Sequence, residues 1–120
     1  MSRTEYFTEA GHYLDEHMCE KVTLQMLADQ ACLSKFHYAR EFKKESGITP
    51  KQFIISRKLQ TAERFLADTD MKVCEIAEKI GYDAGQFTNM FKKYNGMSPG
   101  EFRGFNRNSR LSGNAVNFNY

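Results

Sequence analysis

The side chains in this sequence with the most to offer chemically are cations and carboxamides set among aromatic residues at helical spacing. Tyr38 and Phe42 are four apart and must share one face of a helix, which leaves Phe36, His37 and Arg40 around its outside. A guanidinium there can donate two parallel hydrogen bonds to a planar acceptor pair such as O6 and N7 of guanine, while a phenyl ring offers only apolar contact, for example to a thymine methyl. Farther along, Gln86 and Asn89 each set an acceptor beside a donor, the pattern that pairs with adenine. Lys43-Lys44 and Lys92-Lys93 follow Phe42 and Phe91 and supply compact positive charges suited to phosphate.

Other chemistries find less support. His12, His17 and Cys19 crowd one helical stretch but lack a C-x-x-C or H-x-x-x-H ligand spacing, so no metal and no cofactor are expected. The cysteines Cys19, Cys32 and Cys74 are odd in number and unrelated in position, which suits reduced thiols. No carboxylate pair, nucleophile with an adjacent base or phosphate-cradling glycine loop appears, so an enzyme is not expected. No apolar run approaches the roughly 20 residues that cross a bilayer, and Met1-Ser2-Arg3-Thr4-Glu5 leads into a charged amphipathic stretch. The expectation is a soluble, cytoplasmic protein without a membrane partner.

What must position these side chains is a repeated unit. Phe42-Lys43-Lys44 through Gly47, Thr49-Pro50 and Phe53 returns 49 residues later as Phe91-Lys92-Lys93 through Gly96, Ser98-Pro99 and Phe102. At the same offset Leu24, Leu27, Ala28, Ala31, Leu33 and Tyr38 meet Val73, Ile76, Ala77, Ile80, Tyr82 and Phe87. The aromatics at 38, 42, 87 and 91 therefore read as core.

The pattern predicts an all-α chain of seven helices. A first helix covers about Arg3 to Met18, with Tyr6, Phe7, Ala10, Tyr13, Leu14 and Met18 on its buried face. Thr23 caps a short second helix, and Ser34 a third that ends at Gly47. Thr49-Pro50-Lys51-Gln52 combines N-cap, first-turn proline and capping-box partner, and opens a fourth helix over 50–67, about 17 residues and about 26 Å long. Its buried stripe is Phe53, Ile54, Leu59, Ala62, Phe65 and Leu66, with Lys51, Arg57, Lys58 and Arg64 clothing the rest. The second repeat gives a fifth helix, a sixth capped by Asp83 that buries Phe87, Met90, Phe91 and Tyr94, and a short seventh after Ser98-Pro99-Gly100-Glu101. Two helix-turn-helix subdomains are thus expected, residues 1–67 including the linker helix 50–67 and residues 68–107, with a flexible tail over 108–120.

The net charge of +2 says little, but its distribution does. By formal charge, residues 1–33 carry −4, 34–67 +5, 68–83 −3 and 84–110 +4. Positive charge is concentrated from the second helix of each helix-turn-helix onward, as two basic patches would require.

The duplicated helix-turn-helix ending in Phe-Lys-Lys-x-x-Gly-x-Thr/Ser-Pro-x-x-Phe resembles the DNA-binding domain of the AraC/XylS family of bacterial transcription regulators, over roughly Arg3 to Arg107. The resemblance implies sequence-specific binding of double-stranded DNA, with a recognition helix from each unit in adjacent major grooves, and regulation, activation above all, through RNA polymerase. It implies no small-molecule ligand in this segment. Carried over, the groove-facing positions are Phe36, His37, Ala39 and Arg40 in the first recognition helix, with Lys35, Lys43 and Lys44 near the DNA backbone. In the second they are Gly85, Gln86, Thr88, Asn89 and Lys92, followed by Lys93. Three departures stand out: the family's second unit usually has one more residue between the Gly of its turn and the buried aromatic, Gly85 occupies a place where a longer polar side chain is common, and Asn89 one where a cation is common. The competing reading is a helical protein-interaction adaptor whose lysines only solubilise it.

Overall fold

The computed structural model describes residues 3–112, which form seven helices and no strand among the described residues. In chain order these are α1 (Arg3–Glu16), α2 (Leu24–Gln30), α3 (Lys35–Ser46), α4 (Pro50–Asp68), α5 (Val73–Lys79), α6 (Ala84–Asn95) and α7 (Pro99–Ser112). None of them is long and apolar enough to cross a membrane.

Short polar side chains set where the helices begin. Thr23 Oγ1 accepts from the Met26 amide at 3.2 Å, Ser34 Oγ from that of His37 at 3.2 Å, and Asp83 Oδ1 from that of Gln86 at 2.8 Å. The two expected capping boxes form in full. The Thr49 amide donates to Gln52 Oε1 at 3.0 Å and the Gln52 amide to Thr49 Oγ1 at 3.1 Å. In the repeat, the Ser98 amide donates to Glu101 Oε1 at 2.9 Å and the Glu101 amide to Ser98 Oγ at 3.1 Å. Gly47 and Gly96 end α3 and α6 in the left-handed region, at φ 85° and 76°.

The turns between α2 and α3 and between α5 and α6 match bond for bond. The Cys32 amide donates to Asp29 O and the Gly81 amide to Glu78 O, both at 3.1 Å. The Leu33 amide donates to Ala28 O at 3.0 Å, and the Tyr82 amide to Ala77 O at 2.9 Å. Both turns need a left-handed residue, Gly81 at φ 82° and Cys32 at φ 59°. Cys32 is the one non-glycine residue with positive φ among the described residues.

The chain divides into two compact units, Met1–Gln60 and Thr61–Tyr120. The dividing point lies within α4. In the first unit Ala10, Leu14, Val22, Leu27, Ala28, Tyr38, Phe42, Phe53 and Ile54 form the buried cluster. The Phe42 and Phe53 rings lie 5.4 Å apart and join α3 to the start of α4. In the second unit Leu66, Ile76, Ala77, Ile80, Phe87 and Phe91 are buried, and the Phe91 and Phe102 rings lie 5.3 Å apart.

Several expectations need correction. Lys58 does not clothe the outside of α4; it is only 1% exposed, and its Nζ donates to Met18 O and Glu20 O, both at 2.7 Å. Burial lowers its pKa, yet two carbonyl acceptors satisfy the ammonium where water cannot. Arg57 turns onto α1 and donates to both carboxylate oxygens of Asp15, at 3.0 and 3.1 Å. Phe65 is only half-buried, and Tyr94, read as core, is 48% exposed. Its position at the end of α6 keeps the phenol in contact with water, and Lys93 Nζ lies 5.8 Å from its ring centre. Helix α1 stops at Glu16, where the His17 amide is shared between Tyr13 O at 3.0 Å and Leu14 O at 3.2 Å and tightens the end. Finally, α7 runs to Ser112, into the stretch 108–120 read as a tail; residues 113–120 lie outside the described residues. No proline follows Pro99, so once the capped first turn is formed, each further residue adds a hydrogen bond at little cost.

Candidate nucleic-acid interface

Helix α3 is fixed in rotation by its two inward aromatics, Tyr38 and Phe42, both buried. Burial, with the nearby Glu45, Tyr6 and Glu9 charges adding to it, pushes the Tyr38 hydroxyl up to about 12, so it stays neutral. With that face spent, Lys35, Phe36, His37, Arg40, Lys43 and Lys44 are all exposed. Phe36 is 75% exposed, which is costly for a large apolar ring facing only water, and Lys35 Nζ sits 5.6 Å from its centre. Arg40 enters none of the ion pairs formed among the described residues, so its guanidinium fork is uncommitted. Lys44 approaches Glu41 at 3.8 Å, an exposed pair worth little against solvent.

In α6, Phe87 and Phe91 are buried and hold Gly85, Gln86, Asn89, Lys92 and Lys93 on the exposed side. Asp83 caps α6 where Ser34 caps α3, so no residue is inserted between the two registers. The candidate residues of each unit thus come together on one helix face. Ala39 and its repeat counterpart Thr88 are half-buried in both units, which places them at the margin of that face.

The charge census changes once partners are known. Arg57 and Lys58 are turned inward in the first unit. In the second, Arg103 donates to Leu66 O at 3.0 Å and Thr69 O at 3.1 Å, and Arg107 to Thr69 O at 3.0 Å and Asp70 Oδ1 at 2.6 Å. The Arg107 hydrogen bond holds the Asp70 carboxyl below the usual carboxylate range. The remaining exposed cations include Lys51 and Arg64, which the recognition-helix pattern had not singled out. Lys58 and Arg107 are 49 apart, as are Glu20 and Thr69, whose carbonyls they bind. His17, weighed earlier as a ligand, stacks on Tyr13 at 4.2 Å and shares a 2.7 Å hydrogen bond with Glu20.

A helix-turn-helix domain model matches residues 27–104. Among curated relatives, the bifunctional transcriptional activator/DNA repair enzyme AdaA of Bacillus subtilis is 35% identical over 104 residues, which are 86% of this chain and 49% of that protein. The MmsAB operon regulatory protein of Pseudomonas aeruginosa is 34% identical over 92 residues, 76% of this chain and 30% of its own length. The chain therefore spans half or less of these relatives. Among solved structures, the DNA-binding domain of the global transcriptional factor AdpA in complex with a target DNA superposes with a TM-score of 0.81 at 28% identity, covering 87% of this chain and 95% of that one. The C-terminal domain of the response regulator AraT from Geobacillus stearothermophilus gives 0.78 at 28% identity, covering 83% and 84%.

Proposed function

From the premise that this chain belongs to the AraC/XylS family of helix-turn-helix transcription regulators, we propose that it binds double-stranded DNA sequence-specifically, each unit setting its recognition helix into one of two adjacent major grooves. The observation that carries this reading is the outward row of α3: an uncommitted arginine beside an exposed phenyl ring, on a helix whose rotation two buried aromatics fix. Arg40 reads a guanine edge, Phe36 and His37 lie against neighbouring bases, and the Ala39 methyl contacts from the margin. In α6, Gln86 and Asn89 read adenine, Thr88 contributes from the margin, and Gly85 lets the backbone approach. Lys35, Lys43, Lys44, Lys92 and Lys93 neutralise phosphates.

The chain acts in the cytoplasm as an activator, with RNA polymerase as its protein partner; the word activator in the AdaA name supports the activating role. No reaction is proposed for this segment, which matches only 49% of AdaA. Selection of bound sites from random duplexes tests the reading. Enrichment of one motif with a guanine at a fixed position is the expected result. Absence of any enrichment at low salt would leave the protein-interaction adaptor in its place.

A further inference from the structure

Two of the attachments between each helix-turn-helix and the helix that follows it recur at an offset of 49 residues. One is aromatic: Phe42 on Phe53 at 5.4 Å, and Phe91 on Phe102 at 5.3 Å. The other is a buried or half-committed cation that reaches back to the loop entering the motif. Lys58 Nζ holds Glu20 O at 2.7 Å, and Arg107 Nη2 holds Thr69 O at 3.0 Å. Both carbonyls lie four residues before the first helix of their motif, at Leu24 and Val73. A second donor contact accompanies each, from Lys58 to Met18 O at 2.7 Å and from Arg103 to the same Thr69 O at 3.1 Å.

The geometry of the duplicated motif makes these contacts more than props. The bonded turns lock α2 to α3 and α5 to α6, so each motif moves as one body. In the first unit α1 also packs on α3, with Tyr6 on Tyr38 at 5.8 Å and Phe7 on Phe42 at 5.9 Å, but these contacts lie along α3; the cation is the attachment at the motif's entrance, where it opposes a tilt about the packed rings. Resting on the DNA-binding reading above, we propose that Lys58 and Arg107 are positioning residues that set the angle at which each recognition helix is presented to the groove, without touching DNA themselves. The chemistry suits the task, because a cation can hold backbone carbonyls whatever the loop's side chains are; Lys58 does so by two carbonyls, and Arg107 adds the Asp70 carboxylate at 2.6 Å to its carbonyl. Lysine and arginine both perform it, since each offers donors in more than one direction.

The test uses the full chain with Lys58→Met, Lys58→Arg, Arg107→Gln and Arg107→Lys. Affinity is measured on the selected site and on random duplex, well below each variant's melting temperature. The expected result is that Lys58→Met and Arg107→Gln lose about tenfold to a hundredfold on the selected site, the worth of one misaligned bidentate contact, with binding to random duplex and its salt dependence unchanged. Lys58→Arg and Arg107→Lys should restore specific affinity. A lower melting temperature with full specific affinity would reduce the two residues to structural supports and overturn the proposal. Residual dipolar couplings give a reading that needs no DNA: the orientation of α2 and α3 relative to residues 50–60 of α4 should change in Lys58→Met, and an unchanged orientation would also overturn it. If the parent chain shows no preferred duplex, the function proposed above fails, while the couplings still decide the role of the latch.

Discussion

Arg40 and Lys43 lie three residues apart on one exposed helix face, yet they should fail differently. Arg40→Ala is expected to cost about 1–3 kcal/mol on the preferred site and to relax preference at one base position, whereas Lys43→Ala should weaken all duplexes alike. Titrations of each variant on specific and random DNA separate the two; equal losses for Arg40→Ala would make it a phosphate contact. Cys32 invites a second test, because it bears the left-handed conformation that Gly81 takes at the matching place. Gly81→Ala should destabilise by about 1–2 kcal/mol, the cost of a Cβ in that region. Cys32→Gly should come out near neutral or slightly stabilising, since relief of that strain outweighs about 0.4–1 kcal/mol of added freedom in the unfolded chain. Chemical denaturation measures both. At this scale the exposed row of α3 was legible, because Tyr38 and Phe42 fix which side of the helix is inward. Lys58 and Arg107 were not, because a lysine bound to distant carbonyls looks the same in sequence as one in water.

Helix boundaries were the most legible feature, since Thr23, Ser34, Thr49, Asp83 and Ser98 declare their caps through oxygens that accept local amides. The extent of α7 was hidden because its support comes from the carbonyls of Leu66 and Thr69, more than 30 residues earlier in the chain. Its start carries a pH signature. The Ser98 amide holds the Glu101 carboxyl below its ordinary value of 4.5, so the stabilisation it gives is complete above that pH and is lost as pH falls through the lower folded value. Glu101→Gln should therefore flatten this part of the acid-side decline in melting temperature while leaving the neutral value close to that of the parent, because the amide oxygen of glutamine still accepts, as Gln52 does for Thr49. An acid limb unchanged by the substitution would show that the carboxylate is not coupled to α7.

For the chain as a whole, Arg57, Lys58, Arg103 and Arg107 are used internally, and the exposed cations on α3, α4 and α6 are Lys35, Arg40, Lys43, Lys44, Lys51, Arg64, Lys92 and Lys93. Neutralising about four to eight phosphates gives a log–log salt slope of roughly −4 to −7; a flat dependence measured from low to physiological salt would remove nucleic acid as the partner. Because α3 and α6 follow in the same order along one chain and expose different residues, one chain should occupy one asymmetric site. Footprinting at known stoichiometry checks this, and a palindromic footprint filled by two chains would contradict it. The shared start of α4 and α7 has a last consequence, which concerns where the duplicated unit stops. Helix α7 begins as α4 does, with the same capping box, the same buried proline and the same inward phenyl ring, so the repeated segment runs past each motif into the first turn of the helix behind it.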